Sequence, residues 1–273
     1  MGDEPDANIV AGGTSEPAWQ AAQSVIASRI SEQGEGPKSA RLREAITAAI
    51  VSGDLHAGDQ LPPEPQIAAA TGISLGMVRH AMSQLAMHGF VSRQHGRGTF
   101  VSADADFFTE RWHFRFLDRA TGTPVVPNVV LLERRLARPE PRWGKALGTN
   151  ENYINILRLG LFPNGQRFLS ELVLPYEPFA QLLEVPASDI ETRGIRFILA
   201  DTYQTPIVQS RSVAKLCEAT DFQSEMLKQA PGALLMRFDF TGEGFDDAAV
   251  FLLSLWLPRI DYDLDLRRRH SGA

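Results

Sequence analysis

The sequence predicts a two-domain protein of mixed α+β class. Residues 37–103 should form three helices and a β-hairpin, and residues 111–266 a larger, mainly antiparallel α+β domain. Three observations carry this. Apolar residues recur at helical spacing in three runs between Ser39 and His88. Two β-prone runs near Val91 and Val101 flank a glycine-bracketed tip. Beyond residue 110 apolar and polar residues alternate with a period of two.

The first helix is written by SARLREAITAAIVSGDL, where Leu42, Ala45, Ile46, Ala49 and Ile50 share a face and Gly53 follows as the C′ residue. After the turn HAGDQLPPE, PQIAAA makes a short second helix that Thr71-Gly72 ends. Ser74 can cap a longer third helix, LGMVRHAMSQLAMH, which stops at Gly89. FVSRQ and TFVS are short strands joined by HGRG. Helix, turn, capped helix and glycine-tipped hairpin is the order of a winged helix-turn-helix, an architecture that reads DNA.

In the third helix Val78, Ala81, Met82 and Leu85 follow an i, i+3, i+4, i+7 pattern and should face the other two helices. Leu75, Gly76, Arg79, His80 and Ser83 then face away. A recognition helix reads base edges mainly with its N-terminal residues, which makes Ser74, Gly76 and Arg79 candidate groove residues, with His80 behind them. Gly76 lets the backbone approach closely, and the helix N-terminus at Ser74 favours a phosphate. The alternative is an ordinary amphipathic helix with a solvated arginine.

Charge supports the division. Residues 1–36 carry net −5, residues 37–103 net +2 and the remainder net −3, so only the candidate reader is positive. The first 36 residues read as a flexible arm, in which Ala18 to Ile30 could form a transient amphipathic helix. A short polar linker is expected at 104–110 and a basic tail at 267–273. The single Cys217 cannot make an intramolecular disulfide and suits a reducing cytoplasm. The acidic N-terminus does not read as a secretory signal, and no apolar run approaches the ~18–20 residues that span a bilayer.

In the larger domain, WHFRFLD, PVVPNVVLLERRLA, YINILRLGLF, RFLSELVLP, PIVQSRSVAKLC, GALLMRFDF, AAVFLLSLWL and IDYDLDL read as strands. PNGQ and TGEG read as hairpin turns between consecutive strands. Short helices are expected at Trp143–Leu147, Glu177–Leu183 and Ile195–Tyr203. Asp261, Asp263 and Asp265 have the spacing of a calcium loop, but the sixth and twelfth positions do not fit one. Their alternation with Tyr262, Leu264 and Leu266 suits a half-buried strand instead. No metal site or cofactor is expected. Without a nucleophile elbow, P-loop, HExxH or dinucleotide fingerprint, neither is an enzyme.

The stretch from SGDLHAGDQLPPE through QIAAATGIS and MVRHAMSQLAMHGFV to RQHGRGTFV resembles the GntR family of bacterial transcription regulators. The resemblance implies a Val-Arg pair on the recognition helix and a Gly-x-Gly-Thr-Phe-Val wing that enters the minor groove. Arg79, His95, Gly96, Arg97 and Thr99 fall on those positions. Pro65 and Leu75 stand where the family commonly has arginines. A bidentate Arg–guanine contact is worth about 1–3 kcal/mol, so the operator differs from the usual one or binding is weaker.

ILRLGLF, NGQRFLSELVLP, ADTYQTP and PGALLMRFDF…LSLWLP resemble the UTRA effector domain of HutC-like members, a chorismate-lyase-like fold. This second resemblance implies a bound small metabolite and dimer contacts in that domain. Arg158 falls on the first arginine of an Arg-x-Arg pattern, and Gly160 replaces the second. The acid usual on the next strand falls at Ser170 or Glu171, and Phe251 replaces a later one. Tyr203 is either pocket wall or core edge. Arg158 should meet Glu171 across the strands or an anionic ligand group, with a carboxylate favoured over a sugar phosphate. The reading as a whole is a cytoplasmic, homodimeric repressor on an inverted-repeat DNA operator, controlled by a small-molecule effector. The alternative is a ligand-sensing or protein-interaction module of the same fold whose DNA binding is weakened or lost.

Overall fold

The computed structural model describes residues 17–103, 115–192 and 195–266. The expected linker at 104–110, the tail at 267–273, the first sixteen residues and the start of the WHFRFLD strand lie outside them.

The first domain is built from α1 (Gln20–Glu32), α2 (Lys38–Ser52), α3 (Glu64–Thr71) and α4 (Leu75–Met87), followed by the hairpin β1 (Val91–Gln94) and β2 (Gly98–Val101). The stripes read from the sequence face one another: Leu42, Ala45, Ile46 and Ile50 of α2 pack with Val78, Ala81, Met82 and Leu85 of α4. Gly53 and Gly72 end their helices in left-handed conformations, at φ 83° and 65°, where an L side chain would be strained. Pro65 sits in the first turn of α3, where a missing N–H costs no helical bond.

The arm differs from expectation. From Gln20 to Glu32 it is a helix, not a loose segment, and Ala22, Ile26 and Ile30 are buried against the reader core, with Ile26 only 1% exposed. Their i, i+4, i+8 spacing makes one apolar stripe. The side chain of Arg41 on α2 donates to the Ile30 carbonyl at 2.7 Å and ties down the helix end.

The second domain centres on a six-stranded sheet in which every pairing is antiparallel. Its strands are β5 (Asn128–Ala137), β6 (Tyr153–Leu161), β7 (Arg167–Pro175), β8 (Gln209–Glu218), β9 (Leu234–Glu243) and β10 (Ala249–Leu257), in the order β5-β6-β7-β10-β9-β8. One face packs under α6 (Tyr176–Phe179), α7 (Ala187–Thr192) and α8 (Ile195–Asp201), through Phe179, Ile190, Ile195, Ile198 and Leu199. The other carries α5 (Pro141–Leu147) and α9 (Asp221–Leu227), through Trp143, Leu147 and Leu227. A second sheet joins β11 (Tyr262–Asp265), β3 (Arg115–Asp118) and β4 (Pro124–Val125), and packs Phe116 and Tyr262 on Phe162 and Phe168.

Helices α7 and α9 were not anticipated. The sequence does carry a signal for α9, a capping box in which Thr220 and Gln223 satisfy each other's backbone N–H. PNGQ turns as expected, with Gly165 at φ 84°, but TGEG belongs largely to β9 and the chain reverses at Gly244–Ala248 instead.

Among the described residues the two domains meet where Ala200 and Val208 are buried in the reader core, and through two sets of side-chain contacts. Arg29 on α1 donates to Asp54 at 2.5 Å and Ser52 at 2.7 Å, and its Nη1 lies 3.4 Å from Asp201 at the end of α8. At the β9–β10 turn the Phe245 ring meets His88 edge-on at 5.2 Å and Phe90 at 6.0 Å, with the Arg43 guanidinium 4.7 Å from its centroid.

Candidate DNA-reading surface and effector core

Helix α4 begins on Ser74, whose Oγ accepts the Met77 N–H at 3.4 Å. Past this cap Gly76, Met77, Arg79, His80 and Ser83 are each exposed. The Nε of Arg79 lies 3.5 Å from the Glu64 carboxylate on α3. Glu64 also accepts from Arg93 of β1 at 3.2 Å, so one carboxylate joins the second helix, the recognition helix and the wing. Sequence reasoning missed Glu64, since a lone acid opening a helix carries no sign of its through-space partners.

The wing tip needs both of its glycines. Gly96 sits at φ 72° and Gly98 at φ 116°, in the left-handed region that other residues avoid. A Cβ on Gly98 would also come within 3.0 Å of the Gln60 side-chain nitrogen, which donates to the Arg97 carbonyl at 3.0 Å. This holds the tip with His95, Gly96 and Arg97 exposed, and with the Arg97 guanidinium 5.9 Å from the Phe100 ring centroid. Thr99 lies half-buried behind them, its carbonyl accepting the Leu61 N–H at 2.8 Å. Arg79 and the wing cations therefore belong to one surface, cross-braced by Glu64 and Gln60.

In the second domain Arg158 of β6 is 1% exposed, and burial lowers its pKa to about 10. It stands directly opposite Ser170 of β7, on the pleat face that holds Ile154, Ile156 and Leu172. The Ser170 hydroxyl is fully buried and has no hydrogen-bond partner among the described residues. Tyr203, just past α8, packs edge-on against Phe179 at 5.3 Å, and burial pushes its phenol pKa up. Its hydroxyl likewise has no partner among the described residues.

Glu171 is not part of this group. It pairs with Leu157 and so points to the opposite face of the sheet from Arg158. There it accepts from Asn155 at 2.8 Å and forms an ion pair with Arg142. The expected Arg158–Glu171 contact does not form, because residues one step apart on a strand face opposite ways. Arg142 and Arg237 flank the Trp256 ring at 5.9 and 5.3 Å, and Ser254 donates to Asp239 at 2.6 Å, which continues this outer polar network.

Aromatic rings take the places where the family resemblance implied polar partners. A Cβ on Gly160 would lie 2.0 Å from the Phe168 ring, and one on Gly242 would lie 2.5 Å from Phe251. Both rings are fully buried over a glycine of the adjacent strand. No group of three His, Cys, Asp or Glu residues able to hold a metal ion occurs among the described residues. No described helix is long and apolar enough to cross a membrane.

Residues 38–101 match the family model described as bacterial regulatory proteins, gntR family. The chain is similar to the HTH-type transcriptional repressor STM4068 of Salmonella typhimurium, at 27% identity over 179 residues, covering 63% of this chain and 74% of that protein. It is also similar to the HTH-type transcriptional regulator SmoD of Agrobacterium fabrum, at 30% identity over 126 residues, covering 46% of this chain and 53% of that protein. Among solved structures, the C-terminal domain of Yurk from Bacillus subtilis aligns with a TM-score of 0.44 and 14% identity. That alignment covers 47% of this chain and 88% of that domain.

Proposed function

This chain carries the DNA-binding domain of the gntR family of bacterial regulatory proteins, and on that premise we propose that it is a transcriptional repressor whose hold on its operator is set by a small molecule in the second domain. The observation that carries the reading is the exposed Arg79 on the first turns of a capped helix, steadied by Glu64 beside a two-glycine wing. Ser74 and the α4 N-terminus meet a backbone phosphate; Gly76, Arg79 and His80 enter the major groove. His95, Gly96, Arg97 and Thr99 belong to a wing along the minor groove.

One such reader contacts too few base pairs for useful specificity, so two act together on an inverted repeat, joined through their second domains. Support for the joint comes from β8, an edge strand of the central sheet that leaves Val213 and Leu216 more than half exposed. An exposed strand edge is a template for pairing. The effector site centres on Arg158, with Ser170 beside it and Tyr203 at its rim. A guanidinium presents a planar fork of donors that matches a carboxylate, so a small ligand's carboxylate is the group this site suits. Glu171, on the far face, plays no part in it. The HutC-like pairing of reader and UTRA-like sensor, acting in the cytoplasm, is the arrangement this describes.

The test starts with selecting bound duplexes from a random pool with the full chain. An enriched inverted repeat is expected, and Arg79→Ala should weaken binding to it by about 1–3 kcal/mol while relaxing preference at one base pair per half-site. Titrating small carboxylates into wild type and Arg158→Ala tests the sensor. Tight binding untouched by Arg158→Ala would place the pocket elsewhere.

A further inference from the structure

The first turn of the recognition helix presents almost nothing that can hydrogen-bond a base. After Ser74, whose oxygen is engaged as the helix cap, come Leu75, Gly76, Met77 and Val78. Val78 is buried in the reader core and Leu75 half-buried. Met77 is different. It is 45% exposed, a large apolar side chain on the first turn of the helix, next to Gly76.

Gly76 deepens the point. A Cβ there would meet nothing within 4 Å, and its φ is that of an ordinary helix, so no contact or turn within the chain requires glycine. Glycine inside a helix is destabilising relative to alanine. Its value lies in leaving the helix surface bare where another backbone or base edge must come close. An adjacent flexible, polarisable thioether can then lie along whatever approaches.

In the major groove each base pair offers hydrogen-bonding atoms, but only thymine offers an apolar group, its C5 methyl. We propose that Met77 is a specificity-determining residue that reads a thymine methyl, so that each operator half-site pairs a thymine under Met77 with the base read by Arg79. The inference rests on residues 38–101 being a DNA reader. It adds that the two polar contacts absent at Pro65 and Leu75 are offset by shape and apolar contact, not by another hydrogen bond.

Replacing thymine by deoxyuridine removes the methyl and leaves every hydrogen-bonding atom in place. The experiment takes the duplex enriched by the full-length protein and substitutes deoxyuridine at one thymine position at a time in both half-sites. At one position wild type should lose about fourfold in affinity per half-site, the worth of burying one methyl-sized group. Met77→Ala should bind the thymine and deoxyuridine duplexes equally, and Met77→Leu should restore most of the discrimination. Wild type indifferent to every substitution would overturn the proposal, as would a methyl preference that persists in Met77→Ala. A pool with no enriched sequence would instead overturn the DNA-reading function on which it stands, and this proposal with it.

Discussion

Truncating Phe245 to alanine should loosen the seam between reader and sensor by about 2 kcal/mol, close to thirtyfold in the docked population. The magnitude comes from three contacts. The edge-on pairing with His88 at 5.2 Å is worth about 0.5–1.5 kcal/mol. The Arg43 guanidinium 4.7 Å from the ring centroid adds about 1 kcal/mol at a half-buried site. The remainder is apolar area shared with Phe90, reduced because Phe245 stays partly in water. Arg43 also bonds Gln84 within the reader, so its own truncation mixes two losses. A double-mutant cycle on urea unfolding of the full chain separates them, and about 1 kcal/mol of coupling between Arg43→Ala and Phe245→Ala is expected. Strictly additive variants, with coupling below ~0.3 kcal/mol, would refute the contact as an energetic link. The position matters for function because β9 and β10, which the turn joins, are strands of the sheet that buries Arg158.

Ile26→Ala should destabilise the reader by about 2–5 kcal/mol, as for a core isoleucine; an unchanged thermal midpoint would return α1 to the status of a loose arm. Gly160→Ala, pressing a Cβ into the Phe168 ring, should cost about 1–3 kcal/mol, and Phe168→Leu in the same chain should recover most of it. A neutral Gly160→Ala would mean the ring moves aside at no cost. The Arg29 hydrogen bond, helped by Ser52, holds the Asp54 carboxyl below the usual carboxylate range. Its stabilising contribution is therefore fully present above about pH 4 and is lost as pH falls through the lowered value. Arg29→Gln should flatten that acid limb in a melting-temperature profile, and an unaltered limb would argue against the pair.

The parts of this fold that were readable are those whose signal is local. Ser74 announces α4 by its own capping chemistry, and Val78, Ala81, Met82 and Leu85 announce its buried face by spacing alone. The stripe Ala22, Ile26 and Ile30 was just as readable as a pattern. Whether it docks, however, depends on the surface that α2 and α3 build for it, and on Arg41 reaching the Ile30 carbonyl. Glu64 was invisible for the same reason: its two arginine partners come from other elements.

The misplacement of Glu171 has another origin, since the information was present. A hairpin's turn fixes its whole ladder. Here the turn at 162–166 closes with Leu161 opposite Arg167, and counting outward from it puts Gly160 opposite Phe168 and Arg158 opposite Ser170. Glu171 then falls opposite Leu157, on the other face, whatever its charge would prefer. Pairing Arg158 with Glu171 followed the attraction of opposite charges and ignored that parity. Slipping β7 by one residue would turn Phe168, Leu172 and Leu174 out of the inner core and drive Glu171 into it, a loss that one ion pair does not offset. The apolar pattern decides the register, and the charges take the partners it leaves them. Glu171 finds Arg142 and Asn155 on the outer face, and Arg158 lies on the inner one, opposite Ser170.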